Sequence, residues 1–362
     1  MARSAELTVL LGIHWPIIQG PFGGFRSEAL VAEVCNFGGL GSIGGNAMQP
    51  TEITQSIADV RARTDKPFAV NLWVSTEDPG ASAVDADVAA RALAAVAPRF
   101  AELGLPLPHV PAYAPMSFAA QARAVLDANV AVFSFIVGIP PRDILDECRD
   151  RKILTIGTAT TPEEAVALAD AGVDAIVASG TEAGGHRGSF LAPAEDSMLG
   201  TFALVPQVVD AVPGIPVIAA GGIADGRTTA AALALGASGV QIGTRLFACD
   251  GSGAPPQHRA ALRTGSYTPT VLSAGFTGRH ARGLANQLAR DVQNAPYLPY
   301  PLQRALIKEL TSAAATAKRT DLAQQWSGQS AGVGLASESA TAVLESIVEH
   351  LGIRLGEDSR AH

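Results

Sequence analysis

Eight short apolar runs recur along the chain, each separated from the next by an Ala-rich amphipathic stretch rather than by a hairpin turn. No other feature restricts the fold as much. The runs lie at residues 16–19, 39–43, 68–72, 130–135, 153–157, 175–178, 216–219 and 239–242. They give way to Gly, Ser, Thr or Asn and then to helical patterns, the signature of βαβ units and parallel strands. Eight such units predict an α/β protein, a closed (β/α)8 TIM-type barrel of about 250 residues.

The punctuation of the helices agrees. In the run Thr161, Pro162, Glu163, Glu164, the Thr is placed to cap and Pro162 suits a first turn, while Gly172 ends the helix expected at 165–171. The same order of helix, Gly and strand recurs at 230–242, with Gly236 as the break. The 362 residues exceed one barrel. We therefore expect a barrel at 1–248 and a mostly helical appended domain at 249–334, inserted after the eighth strand, with a helix near 303–318. The remainder, 335–362, is expected to be a C-terminal helix at about 338–351 that returns to the barrel, then a frayed tail from 356. Residues 98–118, with Pro106, Pro108, Pro111 and Pro115, read as a long loop.

A formal net charge of -8 leaves no basic stripe for nucleic acid, so a small molecule is the expected partner. Cys35, Cys148 and Cys249 lie far apart and are read as reduced and structural. The apolar N-terminal run is interrupted by His14 and Pro16, too short for a leader or a membrane span; a cytoplasmic protein without a membrane partner is expected.

In a barrel of this kind the working face is where strands end. Glycine is concentrated there: Gly20 before Pro21 and Phe22, Gly44 and Gly45, Gly180, Gly184 and Gly185, Gly221 and Gly222, and Gly243 before Thr244. Residues without a Cβ let backbone N–H groups approach a flat or phosphorylated ligand. The segments AAGGIADGR (219–227) and QIGTRLF (241–247) follow strands seven and eight, where this fold usually grips phosphate. For any one segment a tight turn alone is the alternative. Neither has the GxGxxG order or a Walker loop. His186 sits in SGTEAGGHRGSF (179–190) with no Cys or second His beside it, so no metal is expected. Its imidazole suits proton transfer near neutral pH, the plainer role being a surface or capping residue. Arg187, next to His186, could bind an anionic substrate, but an outward salt bridge is the expected use.

These segments, together with PFAVNLW (67–73), GTFALVPQVVDAV (200–212), FTGRHARGLANQL (276–288) and WSGQSAGVG (326–334), resemble the nitronate monooxygenases, formerly called 2-nitropropane dioxygenases. The resemblance runs from PIIQGPFGG (16–24) to the helical tail. It implies bound FMN, with His186 as catalytic base and the loop 180–185, after Ser179, beside the flavin. Gly20, Pro21 and Phe22 would line the flavin plane and Asn71 would contact its ring. Gly221, Gly222, Gln241, Ile242, Gly243 and Thr244 would hold the ribityl phosphate. The implied reaction is oxidation of an alkyl nitronate, or of a nitroalkane deprotonated by His186, with O2 through a flavin semiquinone, giving a carbonyl compound and nitrite. Ser179 departs from the family pattern, which has Gln at that position in many members, and the shorter side chain reaches less far toward the flavin. A flavin-dependent enoyl-ACP reductase using NAD(P)H resembles the same loops; the segments at 276–288 and 326–329 favour the monooxygenase. A flavin-binding protein without turnover and a phosphosugar isomerase are the readings from other classes.

Overall fold

The computed structural model describes residues 2–112, 116–264, 267–333 and 339–357. Its strands are β1 (Ile17–Gln19), β2 (Gly41–Gly44), β3 (Phe68–Trp73), β4 (Val132–Ile136), β5 (Leu154–Ala159), β6 (Ala175–Ser179), β7 (Gly185–His186), β8 (Val217–Ala220), β9 (Gly239–Ile242), β10 (Thr270–Ser273) and β11 (Ala281–Leu284). Eight of them form one parallel sheet in the order β1, β9, β8, β6, β5, β4, β3, β2. The ring closes beside β2, where Leu40 N–H donates to Ile17 and Gln19 N–H donates to Leu40. All eight expected strands are present, and the fold is the (β/α)8 barrel.

Alternation along the strands builds two buried layers. Ile18, Ala69, Val132, Ile156, Val177, Ile218 and Ala220 fill the barrel interior, and Leu7 and Leu11 of the N-terminal helix Ala2–Leu11 join that cluster. Their neighbours Ile17, Val70, Phe133, Ile176, Val217 and Ala219 point outward into the larger core against the helices. A Cβ on Gly239, which opens β9, would lie 2.6 Å from Leu7, so the N-terminal helix plugs the end of the barrel opposite the strand C-termini. The helix Pro162–Ala171 starts and stops as its sequence dictates: Thr161 Oγ1 accepts from Glu164 N–H at 3.2 Å, and Gly172 ends it at φ 82°.

Three expectations need correction. The helix Ala86–Glu102 runs through Pro98 into the segment expected as loop, and only from 103 onward is the described chain irregular. A Pro within a helix costs about 3 kcal/mol, but Val96 and Phe100 are buried against Phe276, Leu288 and Leu306, and that packing offsets it. Pro115 lies outside the described residues. The segment after β9, expected to be mostly helical, has the helices Pro256–Leu262, Gln287–Val292 and Leu302–Thr316, yet it also carries β10 and β11. These pair antiparallel with each other, and β11 pairs with β7. The β-branched run at 270–271 finds its partner in β11, and the barrel loop after β6 adds β7 on the other edge of β11. Arg187, expected to point outward, is buried, as described below.

The last helix, Ala340–Glu357, packs on Gly226–Ala234 and Glu28–Phe37 through Ala340, Val343, Leu344 and Ile347. Beyond residue 357 the expected tail lies outside the described residues. The three cysteines are free and buried. Among the described residues no helix is long and apolar enough to cross a membrane.

Candidate active site

A cavity of ≈ 340 Å³ opens at the C-terminal ends of the barrel strands. Of the residues expected there, Gly20, Pro21, Phe22, Asn71, Ser179, Gly184, Gly185, His186, Gly221, Gly222, Gln241, Gly243 and Thr244 line it. Gly180 and Ile242 stand behind the wall: Gly180 donates to Ala220 and accepts from Arg187, and Ile242 is fully buried with its carbonyl accepting from Gly20 N–H.

His186 is held by pairing and stacking together. Its residue partner across the small sheet is Ala281, and Arg187 N–H donates to the His280 carbonyl at 2.8 Å. The imidazole meets Trp73 edge-on at 4.6 Å and Trp326 at 5.2 Å between centroids, while Nε2 lies 2.8 Å from Thr277 Oγ1. Nδ1 has no protein partner among the described residues and is not sealed from the cavity. Burial, and then the positive charges of Arg304 and Arg279, push the imidazole pKa down to about 3, so the ring is neutral over ordinary pH.

The two arginines differ. Arg279 is neutralised by Asp78 at 2.7 Å and donates to the Ser75 and Glu77 carbonyls and to Ser75 Oγ. Arg304 Nη1 meets the Tyr300 hydroxyl at 3.3 Å.

The loop between β6 and β7 is braced from beneath. Arg187, 4% exposed, donates to the carbonyls of Ser179, Gly180 and Ser197. Its guanidinium thus ties three loop carbonyls together with charge-assisted hydrogen bonds, the Gly180 carbonyl accepting from Ala183 N–H as well. Glu182 accepts from the N–H of Thr201 at 2.8 Å and from its hydroxyl at 2.9 Å, closing the first turn of Thr201–Ala211. Thr244 Oγ1 accepts from Gly328 N–H at 2.7 Å, and a Cβ on Gly184 would lie 2.5 Å from that same nitrogen. The segment 326–328 therefore seats on the glycine loop only because Gly184 has no side chain.

At the ends of β8 and β9 the chain presents donors. The N–H groups of Gly221, Gly222 and Gly243 have no acceptor among the described residues, and Gly221 and Gly222 adopt φ 103° and 73°, which favours glycine. A Cβ on Gly243 would touch nothing within 4 Å. Asn71, 5% exposed, donates Nδ2 to Ser134 Oγ at 3.0 Å.

Trp73, Ser134, Glu182, Thr277, Arg304 and Trp326 also line the cavity and were not singled out by residue type. Thr277 and Trp326 fall in segments that carry the family resemblance, and that was the signal available for them.

An eight-stranded parallel barrel whose strand C-termini enclose a polar cavity and one neutral histidine is a TIM-barrel enzyme. The sequence model described as nitronate monooxygenase matches residues 4–350. A probable nitronate monooxygenase of Staphylococcus aureus is 38% identical over 354 residues, covering 97% of this chain and 98% of that one. The crystal structure of nitroalkane oxidase from Streptomyces ansochromogenes is 36% identical with a TM-score of 0.86, covering 96% of this chain and 98% of its own. FabK from Thermotoga maritima is 29% identical with a TM-score of 0.75, covering 99% of each chain. The chain belongs to the nitronate monooxygenase family.

Proposed function

We propose that this protein oxidises alkyl nitronates with O2 to a carbonyl compound and nitrite, using FMN bound at the C-terminal ends of β8 and β9. The observation that carries this reading is a neutral imidazole, open at Nδ1 to a cavity whose far rim offers amide donors without acceptors. Those donors fit a phosphate monoester: Gly221, Gly222 and Gly243 contribute N–H groups, and Thr244, its oxygen already accepting from Gly328, has its hydroxyl hydrogen to give. One such grip, with no dinucleotide motif, favours FMN over FAD.

FMN held there would supply the electron-accepting ring and the route of electrons to O2. The chain does the rest. Pro21, Phe22 and Trp73 offer walls for a flat ring, and Asn71, with one amide hydrogen committed to Ser134, offers its Oδ1. His186 receives or holds a proton at Nδ1. A base weakened to a pKa of about 3 removes a carbon-bound proton poorly, so the site suits a substrate that arrives already ionised. Nitronates are the faster substrates on this account, and neutral nitroalkanes the slower. Oxygen uptake and nitrite release, measured on a nitronate and on its parent nitroalkane, test the reading. Consumption of neither overturns it.

A second reading, the enoyl-ACP reductase using NAD(P)H, is favoured by the likeness to FabK over the full chain. The higher identity and TM-score of the nitroalkane oxidase place it second.

A further inference from the structure

Among the described residues two cations in the cavity wall have no carboxylate partner, Arg304, which is half-buried, and Lys308, which is exposed. Arg304, Lys308 and Thr311 stand at successive turns of Leu302–Thr316 and all line the cavity that His186 lines. No carboxylate among the described residues pairs with Arg304, whose recorded hydrogen bond is the 3.3 Å contact to the Tyr300 hydroxyl. Arg279, the other cation acting on the His186 imidazole, is by contrast engaged with Asp78 and the carbonyls of 75 and 77. Arg304, half-buried, leaves most of its five N–H donors open to the cavity, and its planar fork matches a planar group with two oxygens.

We propose that Arg304 is the oxyanion-recognition residue of this cavity, its guanidinium taking the two oxygens of a planar O–N–O or O–C–O anion presented beside His186. Under the proposed function that anion is the nitronate, and the inference rests on that reading for the identity of the substrate. Arg304 then selects the ionised substrate over the neutral nitroalkane, complementing an imidazole that is poorly basic. Its charge is also among the causes of that low basicity, as expected of a cation facing the same space.

The test uses flavin-loaded wild type, Arg304→Gln, Arg304→Lys and Lys308→Gln, with two readouts: nitronate kinetics, and binding of inorganic nitrate by titration calorimetry as a planar oxyanion that is not turned over. In Arg304→Gln, KM for the nitronate should rise roughly 10- to 100-fold, the scale of a lost charge-assisted hydrogen bond, and more than kcat falls. Nitrate affinity should fall by a similar factor. Arg304→Lys should recover part of both, and Lys308→Gln should move either by only a few-fold. Unchanged KM and nitrate affinity in Arg304→Gln would overturn the assignment, as would wild type that binds no nitrate, or a loss in Lys308→Gln as large as in Arg304→Gln. Wild type that binds nitrate through Arg304 but oxidises no nitronate would remove the functional reading and leave the oxyanion site standing. Turnover indifferent to Arg304 would do the reverse.

Discussion

His186 Nε2 lies 2.8 Å from the hydroxyl of Thr277, a residue 91 positions further along the chain. That hydroxyl has one hydrogen, and the Arg279 carbonyl stands 3.1 Å away to accept it. Nε2 is then the donor and Nδ1 keeps the lone pair toward the cavity. Thr277→Val removes the acceptor while keeping the shape. We expect the nitrogen-15 shifts of His186 to move toward a mixture of tautomers, and kcat on a neutral nitroalkane to fall roughly 10-fold, a fraction of the usual general-base effect. Thr277→Ser should restore both. Unchanged shifts in the Val variant would contradict the assignment.

Gly243 offers a clean test of the phosphate grip. A Cβ there would meet no protein atom within 4 Å, so Gly243→Val should leave the fold's packing intact while its side chain enters the space proposed for the FMN phosphate. Purified variant should contain much less flavin than wild type at a similar unfolding temperature. Equal flavin content, or FAD in place of FMN on heat release, counts against the site.

His258 is buried, its Nε2 donating to the Trp326 carbonyl at 2.9 Å, and burial pushes its pKa down to about 4. The unfolded chain takes up the proton near 6.5, so the stability it contributes is complete above that pH and is lost as pH falls toward 4. The loss at pH 5 is on the order of 2 kcal/mol. His258→Gln can still donate to Trp326 but does not titrate. Its unfolding temperature should therefore fall less between pH 7 and pH 5 than that of wild type; parallel slopes would exclude His258 as a source of the acid sensitivity.

Arg187 holds three buried carbonyls at once. Arg187→Met should destabilise the protein by about 3 kcal/mol, the scale of breaking a buried charged network. Denaturant unfolding would measure it, and a change below about 1 kcal/mol would mean that water replaces the guanidinium at the carbonyls.

The barrel was legible in the sequence because each of its strands falls on a short, largely apolar run bounded by turn residues, and His186 because it sits inside a glycine loop at a strand end. Arg187 was misread for a physical reason: a charged residue beside Gly188 looks solvated until the fold brings the carbonyls of 179, 180 and 197 around it. Thr277, Arg304 and Trp326 were hidden differently. They come from the segment after β9, which β11 joins to β7 at His186, and a two-residue strand has no periodicity to read. Pro98 misled in the opposite direction, since local preference argued for a break where burial of Phe100 imposed a helix.

Under the proposed function a nitronate, not a reduced nicotinamide, delivers electrons to a flavin in this cavity. Anaerobic mixing of the purified yellow protein with an alkyl nitronate and, separately, with NADH or NADPH tests it most directly by flavin absorbance. Rapid bleaching by the nitronate, slow or no bleaching by the nicotinamides, and recovery of colour with nitrite release when air is admitted are expected. Bleaching by NADH or NADPH with none by the nitronate would contradict it and leave the reductase reading in its place.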